Sequence, residues 1–155
     1  MNKREEYIQK LKTCLVGQSV NYILKSPDML FYDFGFGEDI VLPSRLFDSQ
    51  RTVAAYALHA QCYIKVMWKK STGRKVDWLI EDTPTEAVKD LENYLKGMPI
   101  QNVDLNEAND FWLDFGNCWV VLVTTDDNIE SWRFFTFLTP NANHLVATNE
   151  NLSEE

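Results

Sequence analysis

The sequence predicts an α+β protein. Two related helix-plus-strand units are expected, with their strands forming one mixed, mostly antiparallel sheet packed by two helices. Three observations carry that expectation: two stretches have the caps and apolar spacing of amphipathic helices, several others alternate with a period of two or run continuously apolar, and each helical stretch opens a similar block. With 155 residues, 45% of them apolar and 13% aromatic, the chain can bury one ordinary core. It reads as a single domain over residues 1–155, built from units 1–80 and 81–148, with a tail at 149–155 expected to fray.

The first helix begins at Asn2, a good N-cap, with Glu5 three residues later as in a capping box. Tyr7, Ile8, Leu11 and Leu15 then share one face, and Gly17 supplies a stop. Met29–Phe36 reads as an aromatic-rich strand, with Asp39–Leu42 as its short return. Residues 43–57 read as loop or short helix. From Leu58 to Lys69, apolar and polar residues alternate, which predicts one strand turned by Ser71-Thr72-Gly73 into Lys75–Ile80.

The second helix is expected from Thr83 as cap, Pro84 at the first helical position and Glu86 closing the box. Val88, Leu91, Tyr94 and Leu95 form its apolar face and Gly97 ends it. Phe111–Phe115, a turn at Gly116-Asn117 and Cys118–Thr124 make a hairpin. Its second strand is apolar from Cys118 to Val123, so both of its faces should be covered. Asp126-Asp127-Asn128 turns into Ser131–Leu138, and a short strand at His144–Ala147 follows Pro140-Asn141. About eight strands under two helices leave apolar area over, which predicts a curled sheet or a homodimer.

The two units match in order. Ile8, Leu11, Leu15, Gly17 and Val20 reappear 80 positions later as Val88, Leu91, Leu95, Gly97 and Ile100, and Leu30–Gly35 matches Phe111–Gly116 at an offset of 81. A duplicated unit accounts for both blocks if one residue was inserted in the loop between them.

Charge divides the chain at the same place. The net charge of -8 comes from 12 Lys and Arg against 8 Asp and Glu in residues 1–80, and 3 against 15 in residues 81–155. The acidic half argues against nucleic acid as ligand, because phosphates are repelled from it. No apolar run is long enough for a membrane span, and the charged N-terminus does not read as a secretion signal. Cys14, Cys62 and Cys118 are far apart and each flanked by apolar residues, the pattern of buried free thiols in a reducing cytoplasm.

Catalytic and cofactor motifs are not found. Asp33-Phe34-Gly35 and Asp114-Phe115-Gly116 resemble the metal-binding motif of a protein kinase, but the rest of that machinery is missing. Each Phe is expected in the core beside a turn. Gly35-Phe36-Gly37 lacks the following helix of a dinucleotide site. His59 and Cys62 are three apart, so on one strand they point to opposite faces and do not make a zinc site. Asp126, Asp127, Asn128 and Glu130 lack the spacing of a calcium loop. No metal and no cofactor is expected.

The residues left for binding are Arg133, which can stack on aromatic rings or pair with Asp114, together with Trp119 and Trp132. His59 and Gln61 lie on the mixed face of their strand and can line a site. Tyr56-Ala57-Leu58-His59-Ala60-Gln61-Cys62, Glu130-Ser131-Trp132-Arg133-Phe134-Phe135 and His144-Leu145-Val146 resemble a group of small uncharacterised bacterial proteins over residues 29–148. After Cys62 the chain departs from that pattern, with Tyr63-Ile64-Lys65 in place of a Trp-Arg pair. In size, acidity and aromatic content the group resembles immunity-type partners of bacterial toxins. The resemblance implies a protein that binds another protein.

The leading expectation is therefore a non-catalytic module whose acidic, aromatic-rich second half engages a basic protein. Two others stand beside it: a small-molecule binder or enzyme with a pocket between the units, using Arg133, His59, Gln61 and Asp114, and a homo-oligomeric scaffold.

Overall fold

Asn2 starts the first helix as its sequence predicts. In the computed structural model, which describes residues 1–26, 31–43, 50–70, 76–139 and 142–155, its side chain accepts the Glu5 N–H at 2.8 Å. Helix α1 (Lys3–Leu15) buries Tyr7, Leu11 and Leu15, and Gly17 follows at φ 90°. Helix α2 (Thr85–Lys96) buries Val88, Leu91, Leu95 and one charged residue, Glu92. Thr83 does not cap it. The cap position is Pro84, while the Thr83 hydroxyl is spent in the preceding turn, accepting the Ile80 N–H at 2.9 Å and donating to the Trp78 carbonyl.

The strands form two antiparallel sheets rather than one. The six-stranded sheet has the order β1-β2-β3-β9-β10-β11, from β1 (Val20–Lys25), β2 (Tyr32–Pro43), β3 (Gln50–Ala60), β9 (Trp132–Thr136), β10 (Leu145–Ala147) and β11 (Leu152–Glu154). The five-stranded sheet has the order β5-β4-β8-β7-β6, from β4 (Tyr63–Trp68), β5 (Trp78–Leu79), β6 (Asn102–Leu105), β7 (Phe111–Asp114) and β8 (Cys118–Val123). One hydrophobic core takes side chains from both sheets and both helices. Two sheets closing on one core bury the apolar surplus that a single sheet leaves over.

The run from Leu58 to Lys69 is thus two strands, not one. The chain leaves the six-stranded sheet after Ala60 and enters the five-stranded sheet at Tyr63. Leu58, Ala60, Cys62, Ile64 and Val66 all stay buried through this crossing, because both inner faces look onto the same core. After β8 the chain crosses back to β9, so Ser131–Leu138 does not make a hairpin with its predecessor.

Other boundaries also move. Asp39–Leu42 is not a return strand: β2 runs on to Pro43, and Gly37 at φ 83° sits in an irregularity of its pairing with β3 between Phe36 and Asp39. The span expected as loop or helix ends in strand, since β3 starts at Gln50. Leu152–Glu154 pairs with β10 instead of fraying. Met29, Leu30, residues 44–49, the Ser71-Thr72-Gly73 turn with Lys75, and Pro140-Asn141 lie outside the described residues.

Of the two Asp-Phe-Gly motifs, Phe34 and Phe115 are both core, but only Gly116, at φ 89°, turns the chain. Gly35 lies in the middle of β2, where the Tyr22 ring covers it so closely that an added Cβ would stand 2.1 Å from that ring.

The helices bind the halves together. α1 packs near β6 and α2 near β1. Glu92 of α2 accepts the Ile23 N–H of edge strand β1 at 2.9 Å and an ammonium proton from Lys89 at 2.7 Å. A helix side chain so occupies an edge that otherwise invites another strand.

Candidate functional site

Alternation along each strand leaves each sheet an outer face, and the sequence candidates divide between the two faces and the core. Trp132 is core: it is fully buried against the Phe111 ring, and its indole N–H donates to the Asn109 carbonyl at 2.8 Å. It presents no surface to a partner. Gln61 is exposed at the crossing between the sheets, where its backbone N–H is held by the Ser131 carbonyl at 2.7 Å.

His59 and Arg133 do come together, directly opposite one another on the outer face of the six-stranded sheet, with Asp33 opposite His59 on the other side. His59 Nε2 is 3.3 Å from Asp33 Oδ1, and its ring lies 4.4 Å from that of Phe135. Tyr22 donates to the other Asp33 oxygen at 3.3 Å; burial, then this carboxylate, push the Tyr22 phenol well above its ordinary pKa. Arg133 does not pair with Asp114. Its guanidinium is taken up by Glu130 at 2.7 Å and Glu155 at 2.9 Å.

The Nη1 group of Arg133 meets His144 Nδ1 at 3.1 Å. A guanidinium only donates, so His144 Nδ1 must carry its lone pair. Burial, and then the positive charges of Arg133 and His59, lower the His144 pKa and hold the ring in that neutral form. Arg133 is thereby committed within the chain, and Asp114 lies on the other sheet. The four residues expected around one pocket do not converge.

Asp114 and Trp119 belong to the outer face of the five-stranded sheet. Its cross-strand rows follow from register. One row runs Asn102, Asp114, Trp119, Met67; the next runs Asp104, Trp112, Val121, Lys65, Trp78. The Trp112 and Trp119 rings meet at 78° with centroids 5.6 Å apart. Tyr63, Met67 and Trp78 are each at least 40% exposed. Aromatic residues and Met are enriched in protein–protein interfaces relative to the rest of a protein's surface.

This face carries lysines from the first half of the chain. Lys69 stands 4.5 Å from the Trp119 ring centre and donates to Asp114 at 2.7 Å; Lys65 stands 4.9 Å from the Trp78 ring centre. An ammonium over an indole is attracted by the negative face of the ring. The acidic residues of the second half are therefore mixed with basic ones here, which counting along the sequence does not reveal.

Sequence reasoning missed Trp112, Asp104, Trp78 and the short strand β6. The available signal was the alternation of Asn102 and Asp104 with buried Val103 and Leu105, which is only four residues long. Beside β6, a concavity of about 300 Å³ is lined by Asn102, Asp104, Leu105, Asn106, Trp112 and Trp119. In comparisons with known proteins, no family, no curated protein and no solved structure matches this chain.

Proposed function

We propose that the protein is a non-catalytic binding module that docks a basic protein on the outer face of its five-stranded sheet. The observation that carries this reading is the group of exposed large apolar residues on that face, the aromatics Trp78 and Tyr63 with Met67, continuous with Trp112, Trp119 and the carboxylate of Asp104. Aromatic anchors supply desolvated contact area, while the carboxylate of Asp104, which no Lys or Arg pairs among the described residues, orients the encounter. Neutralisation of a toxin in the manner of an immunity protein is one concrete form. The free thiols of Cys14, Cys62 and Cys118 fit a cytoplasmic home for it.

We further propose that the two halves descend from one duplicated unit. Each half supplies a helix and then three consecutive strands to one sheet, and its following strands to the other. Superposing α1 with β1 and β2 on α2 with β6 and β7 tests the idea; helices that fall on opposite sides of their strands would end it.

The docking face is tested by capture from the native host at low and high salt, with the wild type and with Trp78→Ala. The expected result is a basic protein retained by the wild type at low salt, released at high salt and lost by the variant. Identical capture by both proteins would overturn the reading.

A further inference from the structure

Three indoles lie on the outer face of the five-stranded sheet, and two already hold an ammonium from this chain. Trp119 stands directly across the strands from Asp114, and Lys69 is held between them, 4.5 Å from the ring centre and 2.7 Å from the carboxylate. Trp78 stands across from Lys65, whose ammonium is 4.9 Å from its ring centre. In both contacts the chain sets one of its own ammonium groups on an indole and, in the first case, against a carboxylate.

The third indole repeats the first arrangement without its cation. Trp112 stands directly across from Asp104, as Trp119 does from Asp114. One Asp104 oxygen accepts the Leu105 N–H at 2.9 Å, and among the described residues no Lys or Arg pairs with the carboxylate. Asn106 does not fill the gap, since its amide is turned to Asp110 and to the Ala108 and Asp110 N–H groups. Trp119, set at 78° to Trp112, makes the second wall of the concavity.

We infer that this corner receives a lysine or arginine side chain of a partner protein, with the cation on Trp112 and paired to Asp104. The inference rests on the docking face proposed above and names its anchor. A guanidinium suits the corner especially, because its plane lies flat on an indole while its N–H fork meets a carboxylate.

The test is a titration of the full chain, labelled with ¹⁵N, with tetra-arginine, tetra-lysine, a glycine-serine peptide of equal length, and cellotetraose. The indole N–H signals of Trp112 and Trp119 are expected to move with either cationic peptide and to stay still with the neutral peptide and the sugar. Trp112→Ala is expected to weaken the cationic peptides about tenfold, the scale of one cation–π contact in a partly desolvated site. Asp104→Asn keeps the acceptor for Leu105 and cannot disturb the core, and is expected to weaken them by a similar factor.

Unchanged affinity in Asp104→Asn would overturn the inference, as would movement with cellotetraose, which would make the corner a saccharide site. Failure of the anchor is separable from failure of the face. If the cationic peptides move only Trp78 and host capture still depends on this sheet, the anchor is elsewhere on a real docking face. If host capture also proves identical in wild type and Trp78→Ala, the face itself falls.

Discussion

Glu92 shows how one side chain joins the halves. Its carboxylate is almost wholly buried, yet it meets the Ile23 N–H, Lys89 at 2.7 Å and Lys96 at 3.5 Å. Burial alone raises a carboxyl pKa, but these hydrogen bonds and ammonium groups outweigh it and hold Glu92 below its ordinary 4.5. A depressed folded pKa means stability that is present above that value and lost as acid protonates the folded group. Glu92→Ala leaves the Ile23 N–H buried without an acceptor, so it should cost about 2 kcal/mol in urea unfolding. Glu92→Gln should flatten the loss of stability below pH 4.5.

The thiols give a second test at the residue scale. Burial, with Asp110 nearby, pushes Cys62 up to about 12, and burial, with Asp114 nearby, does the same to Cys118. Burial raises Cys14 too, but it alone of the three is partly exposed, so a disulfide reagent should modify Cys14 first in the native protein and all three thiols in denaturant. Rapid native reaction of Cys62 or Cys118 would show that the core opens more readily than its packing implies.

Among the elements, the C-terminal strands depend on a neutral imidazole. His144 precedes β10, exchanges backbone hydrogen bonds with Glu155 and accepts from Arg133. Protonation replaces the acceptor with a charge facing Arg133 and His59, opposed only by Glu130 and Glu155. Because the folded pKa is lowered, this stability is full above pH 6.5 and declines as pH falls below it. His144→Asn should remove that slope from a series of urea midpoints; an unchanged slope would place its origin elsewhere.

The elements also show where the sequence was legible. Both helices could be read because caps and apolar faces are local: Asn2 with Glu5, and Val88, Leu91 and Leu95. The hairpin at Gly116 was equally local. The crossing at Gln61–Cys62 was not, since the period of two continues unbroken from one inner face to the other. Nor was the continuation of β2 past Gly37, where a glycine that resembles a turn serves an irregularity in the pairing. For the site, Asp114 and Trp119 were legible as residue types, but their pairing with Lys69 is set by register between strands about 50 residues apart.

At the scale of the molecule, neither half completes a sheet. Residues 1–80 supply β1–β3 to one sheet and β4–β5 to the other, and the second half supplies the rest of both. A fragment of residues 1–80 should therefore be unfolded by circular dichroism, because β3 lacks β9 and β4 lacks β8. A folded fragment would contradict the interleaving. The same exchange moves Lys65 and Lys69 onto the sheet built largely from the acidic half, so the charge boundary in the sequence is not a boundary on the surface.

On the proposed reading one face, rather than overall acidity, binds the basic partner. The affinity of the captured partner for two charge reversals separates these most directly: Asp104→Lys on the five-stranded face, and Glu38→Lys, exposed on β2 of the other sheet. Both change the net charge equally. A loss of tenfold or more, about 1.4 kcal/mol, is expected for Asp104→Lys, and little change for Glu38→Lys. Equal losses in the two variants, or none in either, would contradict that reading.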